Sequence, residues 1–170
     1  MLVTDVELIF QWRNDPRVRQ FMFNTAPLDS DGHTAWFDRT HSDPLRHLLL
    51  VCRGNQPFGF VQFTVKLCRS VADWGFYVDP KGPKGQGAIL GPAVLDYGFN
   101  ALGFHRICGQ VIESNIGSVF FHERLGFTPE GTLRSHHLSN TGYQDVHMFG
   151  LLASEWANST GGMIEHGIKF

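Results

Sequence analysis

The sequence predicts an α+β fold, in which one domain holds a central, mostly antiparallel sheet flanked by about four helices. Three observations lead there. Strand-like runs fall in two groups, one before Pro80 and one after Gly103. Segments of helical spacing lie before, between and among them. A glycine-rich loop joins the last strand of the first group to the longest helical segment. The 170 residues, 42% hydrophobic and 18% charged, suit one closed core.

In chain order, Val6, Ile9, Phe10 and Trp12 suggest a short first helix, stopped by Asp15-Pro16. Asp29 or Ser30 could cap a second helix running through His33, Trp36 and Phe37 to about Thr40. Strands are expected over 47–52, 58–66 and 72–78, the first two joined by a hairpin turn across 53–57. Ile89, Leu90, Ala93, Val94 and Tyr97 lie at helical spacing, and Phe99 to Gly103 closes that helix. A strand over 105–113 follows. Asn115 then caps a short helix over 116–125, with Gly126 where a left-handed C-cap belongs. Two late strands, 127–133 and 143–152, surround the turn 139–142. The domain is expected over 1–157, with 158–170 a weakly patterned, poorly ordered tail.

Composition narrows the function classes. A net charge of −2 and a pI near 6.5 give no basic footprint for nucleic acid. Cys52, Cys68 and Cys108 are isolated and odd in number, forming neither a CxxC site nor a disulfide framework. A reducing compartment fits, and no metal is expected. The start MLVTDVELIFQWRND lacks the basic n-region and apolar core of a signal peptide. No apolar run is long enough to span a membrane, so a cytoplasmic protein without membrane insertion is expected.

The loop Lys81-Gly82-Pro83-Lys84-Gly85-Gln86-Gly87 carries the first chemical signal. Glycines let the backbone approach a ligand closely, and the following helix offers unpaired N–H groups with partial positive charge. Such a site binds a pyrophosphate, with Lys81 and Lys84 adding charge at its mouth. Taken alone, the same residues also read as an exposed turn. They match neither a Walker A loop, since no GK[ST] follows, nor a dinucleotide fingerprint opening a βαβ unit.

The blocks WGFYVDP, KGQGAI, VIESN and HERLGF follow one another in a set order. From Trp12 to Trp156 the chain resembles the GNAT N-acetyltransferases. The resemblance implies acetyl-CoA as co-substrate and a twisted sheet with a V-shaped splay between the strands 72–78 and 105–113. In the family the pantetheine arm pairs with one edge of that splay. By the same resemblance, backbone amides of Lys84, Gly85, Gln86, Gly87 and Ala88 hold the pyrophosphate. Asn115 contacts the pantetheine arm, and a backbone N–H near Tyr77 or Val78 serves the oxyanion. Against the family pattern Arg/Gln-x-x-Gly-x-Gly/Ala, Gly87 holds the fourth place, while Lys84 in the first, Ile89 in place of the last small residue and Pro92 inside the helix depart from it.

Acetyl transfer to an amine needs a base, an oxyanion donor and a proton for the leaving thiolate. A thiol of pKa near ~8.5 already leaves well, so the acid is worth roughly 10²-fold. Family members place a tyrosine acid in the short helix before Leu-Gly-Phe, and here His122 holds that place. Imidazole can give a proton near neutral pH, although a helix histidine without a role is the other reading. Glu113 and His33 are the candidate bases, and a capping or core role is open for each.

The run WRNDPRVRQFMFNTAPLDSDGHTAWF resembles the first block of the acetyltransferases of pseudaminic acid biosynthesis. These act on the 4-amino group of a UDP-linked 4-amino-4,6-dideoxy-N-acetyl-altrosamine. The resemblance implies a nucleotide-sugar substrate. Arg13 could pair its diphosphate through a planar fork. Met22, Phe23 and Trp36 could wall a uracil ring or a 6-methyl edge, and His33 could reach a phosphate or sugar. The same aromatics, with Phe37, also read as core. A protein N-terminal acetyltransferase like the RimJ/RimL group is the rival enzyme, although Arg13, Arg17 and Arg19 do not suit a basic peptide. An acyl-CoA-binding sensor without turnover is a third reading. The sequence leaves a homodimer open.

Overall fold

A computed structural model describes residues 1–159 and 167–170. Among these residues, seven strands form one sheet in the order β5-β6-β4-β3-β2-β1-β7. They are β1 (Arg46–Arg53), β2 (Gln56–Val65), β3 (Val71–Val78), β4 (Arg106–Ile112), β5 (Thr128–Ser139), β6 (Gly142–Leu152) and β7 (Ile168–Lys169). Every neighbouring pair is antiparallel except β3 with β4. The expected α+β class and mostly antiparallel sheet are both present.

Six α-helices occur among the described residues: α1 (Val6–Asn14), α2 (Pro16–Arg19), α3 (Ser30–His41), α4 (Gln86–Asp96), α5 (Ile116–Arg124) and α6 (Ala153–Ser159). Strand alternation splits them between two faces. Leu48 and Leu50 of β1 and Phe60 of β2 pack with Val6, Ile9, Trp12 and Phe37 of α1 and α3. Their sequence neighbours Leu49, Val51 and Val61 join Leu90 and Val94 of α4 on the opposite face. At roughly 1.5–3 kcal/mol per buried aliphatic side chain, these two clusters hold both helical layers to the sheet.

Local chemistry explains most boundaries. Asp29 caps α3 by accepting from the Gly32 amide at 2.7 Å. Asn115 caps α5 by accepting from the Ser118 amide, and Gly126 turns the chain away at φ 90°. Pro16 ends α1 as expected, but it also opens α2 from the N1 position, with Asp15 accepting from the Arg17 amide. Pro92 lies in the second turn of α4, leaving the Ala88 carbonyl to solvent. The helix then widens into a π-turn over Tyr97–Ala101.

Three expectations at the C-terminal end change. β5 runs six residues past Leu133, because the chain bulges between Leu133 and His137 and then rejoins β6. α6 follows β6 directly and buries Trp156. The poorly ordered tail expected from Asn158 is not what its ends show: Asn158 belongs to α6, and Ile168 and Lys169 pair with Arg53 and Cys52 of β1. Residues 160–166 of that tail lie outside the described residues.

Candidate functional site

β3 and β4 share only three register pairs, Val71 with Arg106, Ala72 with Ile107 and Asp73 with Cys108. Beyond them β3 continues to Val78 on β2, and β4 continues to Ile112 on β6. Among the described residues, the facing edges of 74–78 and 109–112 therefore have no strand partner. This is the expected splay, and it opens into a cleft of about 1090 Å³. The first turn of α4, α5 and the α1–α3 side all border that cleft.

At one end stands the glycine loop. Gly85 is the N-cap of α4 at φ 92°, a conformation that costs an L-residue with a Cβ roughly 1–2 kcal/mol. Among the described residues, the amides of Gly85, Gln86 and Gly87 have no backbone partner, and these residues line the cleft with Lys84. Ala88 does not belong with them, because its amide is spent on the Gly85 carbonyl at 2.9 Å. The Gln86 side chain folds back under Gly82, its buried Oε1 without a partner. Three free amides on a helix N-terminus fit a pyrophosphate. Asn115 borders the cleft at the start of α5, its Oδ1 occupied by its own cap bond.

Across the sheet, Asp73, Gly75 and Tyr77 share the β3 face opposite Trp74 and Phe76. Tyr77 packs on Phe60 at 5.1 Å between ring centroids, and Trp36 meets the same Phe60 at 6.3 Å, edge to face. His33 is 5% exposed and stacks on Trp36 at 5.0 Å. Burial pushes the His33 imidazole below its ordinary 6.5, as does nearby Arg13, against a backbone bond to Val6. Burial likewise lowers Arg13 and raises the Tyr77 phenol. Arg13 Nη2 donates to the Asn24 carbonyl at 2.7 Å, but its Nη1 and His33 Nε2 are buried without partners among the described residues. Desolvated polar nitrogens of this kind are costly unless a partner completes them.

Met22 and Phe23 line the cleft, and Phe23 is 50% exposed, so these two are wall rather than core. Trp36 is partly buried and also borders the cleft, whereas Phe37 at 2% is core. Arg17 reaches the cleft but is held bidentately by Asp15 at 2.9 and 2.7 Å.

Two catalytic expectations are corrected. Glu113 does not line the cleft; it is exposed beside β6, where its carboxylate accepts from the Asp145 amide at 3.4 Å. His122 borders the cleft with only 1% of its surface exposed. Its Nδ1 lies 2.7 Å from the Ser118 carbonyl, which can only accept. Nδ1 therefore carries the proton, and Nε2 accepts from Trp74 Nε1 at 3.1 Å. Desolvation, partly offset by the Ser118 bond, lowers its pKa to about 4. A neutral ring engaged in this way keeps its one proton on the Ser118 carbonyl and turns no N–H to the cleft.

One acidic residue that the sequence reading passed over does reach the cleft. Asp73 sits at the last register pair of the splay, borders the cavity and forms an ion pair with Lys66. Its signal was present in the sequence, as a carboxylate in the middle of an otherwise apolar strand.

Residues 2–128 match the family described as acetyltransferase (GNAT) domain. Acetyltransferase PseH of Campylobacter jejuni subsp. jejuni (strain 81-176) is 32% identical over 127 residues, 73% of this chain and 77% of that protein. PseH of a second strain of the species is 30% identical over the same shares. Among solved structures, spermidine N-acetyltransferase from Vibrio cholerae in complex with CoA and spermine superposes with a TM-score of 0.85. That pairing covers 93% of this chain and 95% of the other at 24% identity, a likeness of fold.

Proposed function

The chain belongs to the GNAT acetyltransferase family and is an acetyl-CoA-dependent N-acetyltransferase, and we propose that its acceptor is the 4-amino group of a UDP-linked amino-dideoxy sugar. The setting is pseudaminic acid biosynthesis, which supplies flagellin and surface glycans. In this reading residues 1–157 are the acetyltransferase domain. The observation that carries it is the pair of buried, unpartnered nitrogens on Arg13 and His33. Both residues line the cleft together with Tyr77, Trp36, Met22 and Phe23, the two nitrogens lying just beneath its surface. A guanidinium pairs a diphosphate, and the aromatic wall takes a flat base or a 6-methyl edge. The likeness to PseH supports the same substrate class.

The remaining residues divide the work by position. Amides of Gly85, Gln86 and Gly87, with Lys84, hold the pyrophosphate of the acyl donor, and Asn115 contacts its pantetheine arm. The main-chain N–H of Val78 lies on the strand edge turned away from β2, where it can stabilise charge on the acetyl oxygen, whereas that of Tyr77 points to Phe60 of β2. Asp73 replaces Glu113 as the group that takes a proton from the acceptor amine, directly or through one water.

The test is release of free thiol from acetyl-CoA with three acceptors. Turnover with a UDP-4-amino-4,6-dideoxy sugar at a kcat/KM at least about ten-fold above spermidine and above a basic peptide is expected. Preference for spermidine or for the peptide would replace the sugar reading. Binding of acetyl-CoA without thiol release from any amine would favour the sensor.

A further inference from the structure

The place at which β3 and β4 part is occupied by a side-chain contact. Asp73 and Cys108 are the last paired residues, so Trp74 and Gly109 are the first that separate. A Cβ on Gly109 would lie 2.5 Å from His122 Nε2 and 3.2 Å from Trp74 Nε1. The two nitrogens thus meet directly over Gly109, and their 3.1 Å hydrogen bond ties α5 to β3 at the vertex of the V. Only a glycine in β4 leaves room for it.

The surroundings make that bond rigid. Phe127 stacks on Trp74 at 5.4 Å, and Phe149 stacks on His122 at 5.1 Å. Phe121 and Phe76 close the other sides. Water has little access, so an unmade bond here would leave a buried indole N–H without a partner. Ser118, whose carbonyl holds His122 Nδ1, is also the residue whose amide is capped by Asn115. A continuous line of hydrogen bonds therefore runs from the N-cap of α5 to β3.

We propose that His122 is a positioning residue: by pinning Trp74 over Gly109, it sets how far the two strands open for the thioester arm. This rests on the reading that the splay receives that arm. It moves no proton, and its effect passes through β3. The imidazole suits the position because it is a flat ring with an acceptor on one edge and a donor on the other. Phenylalanine offers neither, and glutamine offers both.

Two measurements test the assignment. In the intact protein, long-range nitrogen–proton NMR correlations report which ring nitrogen of His122 is protonated. Nδ1–H is expected, and Nε2–H or a doubly protonated ring at neutral pH would overturn the proposal. In variants, His122→Phe and Trp74→Phe should each raise the KM for acetyl-CoA roughly ten-fold. Their kcat at saturation should stay within about three-fold, with the shape of the pH profile unchanged. His122→Gln should return KM to within about three-fold of the parent. A loss of about 10²-fold in kcat for His122→Gln, with KM unchanged and one limb of the pH profile gone, would instead identify a proton donor and overturn the proposal. Calorimetry on the unaltered protein separates this from the site reading: absence of acetyl-CoA binding there would defeat that reading first.

Discussion

Asp73 of β3 and Cys108 of β4 form the last register pair before the two strands diverge, and Asp73 faces the cleft from that position. A carboxylate is thereby placed where the unpaired strand edges begin. Asp73→Asn should lower kcat by about 10²-fold or more at neutral pH, while Glu113→Gln leaves it within about two-fold. Loss of the partly exposed Lys66 pair should cost less than about 1 kcal/mol of stability. Steady-state kinetics with urea melts on both variants would read this out, and equal losses for the two would refute the assignment.

Gly109 has no room for a methyl group. In Gly109→Ala the new Cβ would meet His122 Nε2 at 2.5 Å inside a closed aromatic cluster. Overpacking of this kind costs about 1–3 kcal/mol. A melting temperature lower by several degrees is expected in thermal denaturation, and an unchanged one would mean that the vertex is softer than described.

Gly85 caps α4 at φ 92° and leaves its own amide and those of Gln86 and Gly87 free. Gly85→Ala should weaken acetyl-CoA binding by about ten-fold, since roughly 1–2 kcal/mol of strain tilts the three donors out of alignment. Isothermal calorimetry measures it. Wild-type affinity would place the pyrophosphate elsewhere.

Arg13 keeps one guanidinium nitrogen on the Asn24 carbonyl and one without a partner. Arg13→Ala should reduce kcat/KM for the nucleotide sugar by about 10–100-fold, the worth of a charge-assisted bond, with the KM for acetyl-CoA little changed. Arg13→Lys should recover only part, for want of the planar fork. A matching decline with an amine that carries no phosphate would point to a folding defect.

His122 makes stability depend on pH. Its folded pKa of about 4 lies below the ordinary 6.5, so between those values the unfolded chain binds a proton that the folded one refuses. Its contribution is complete above about pH 6.5 and is lost as pH falls toward 4, on the order of 3 kcal/mol in all. Burial pushes His33 and His47 the same way. The difference between the parent and His122→Gln in urea melts from pH 7 to 4 therefore isolates this residue. Parallel curves would assign the acid sensitivity to the other two.

Much of the frame was legible in the sequence. Helix starts at Asp29 and Asn115, the end at Gly126 and the strand–loop–helix order around Gly85 all depend on residues within a turn of one another. Short-range steric and capping preferences act whatever the rest of the chain does. α6 and β7 were missed for the opposite reason. Trp156 is helical because it seals the core beside Phe99, and Ile168 is a strand because β1 offers it an edge.

By itself, then, the sequence determined the order of elements from α3 to β6, the anion-binding loop and the apolar faces of the sheet, since each follows from local spacing. Which polar groups meet was left to the tertiary structure. Trp74 and His122 are 48 positions apart, and only their packing over Gly109 turns a candidate acid into a neutral brace. Exposure turns Glu113 away from the cleft, and strand alternation turns Asp73 into it. The charge and hydrogen bonding of a side chain depend on what surrounds it in space, and distant stretches of the chain supply those surroundings.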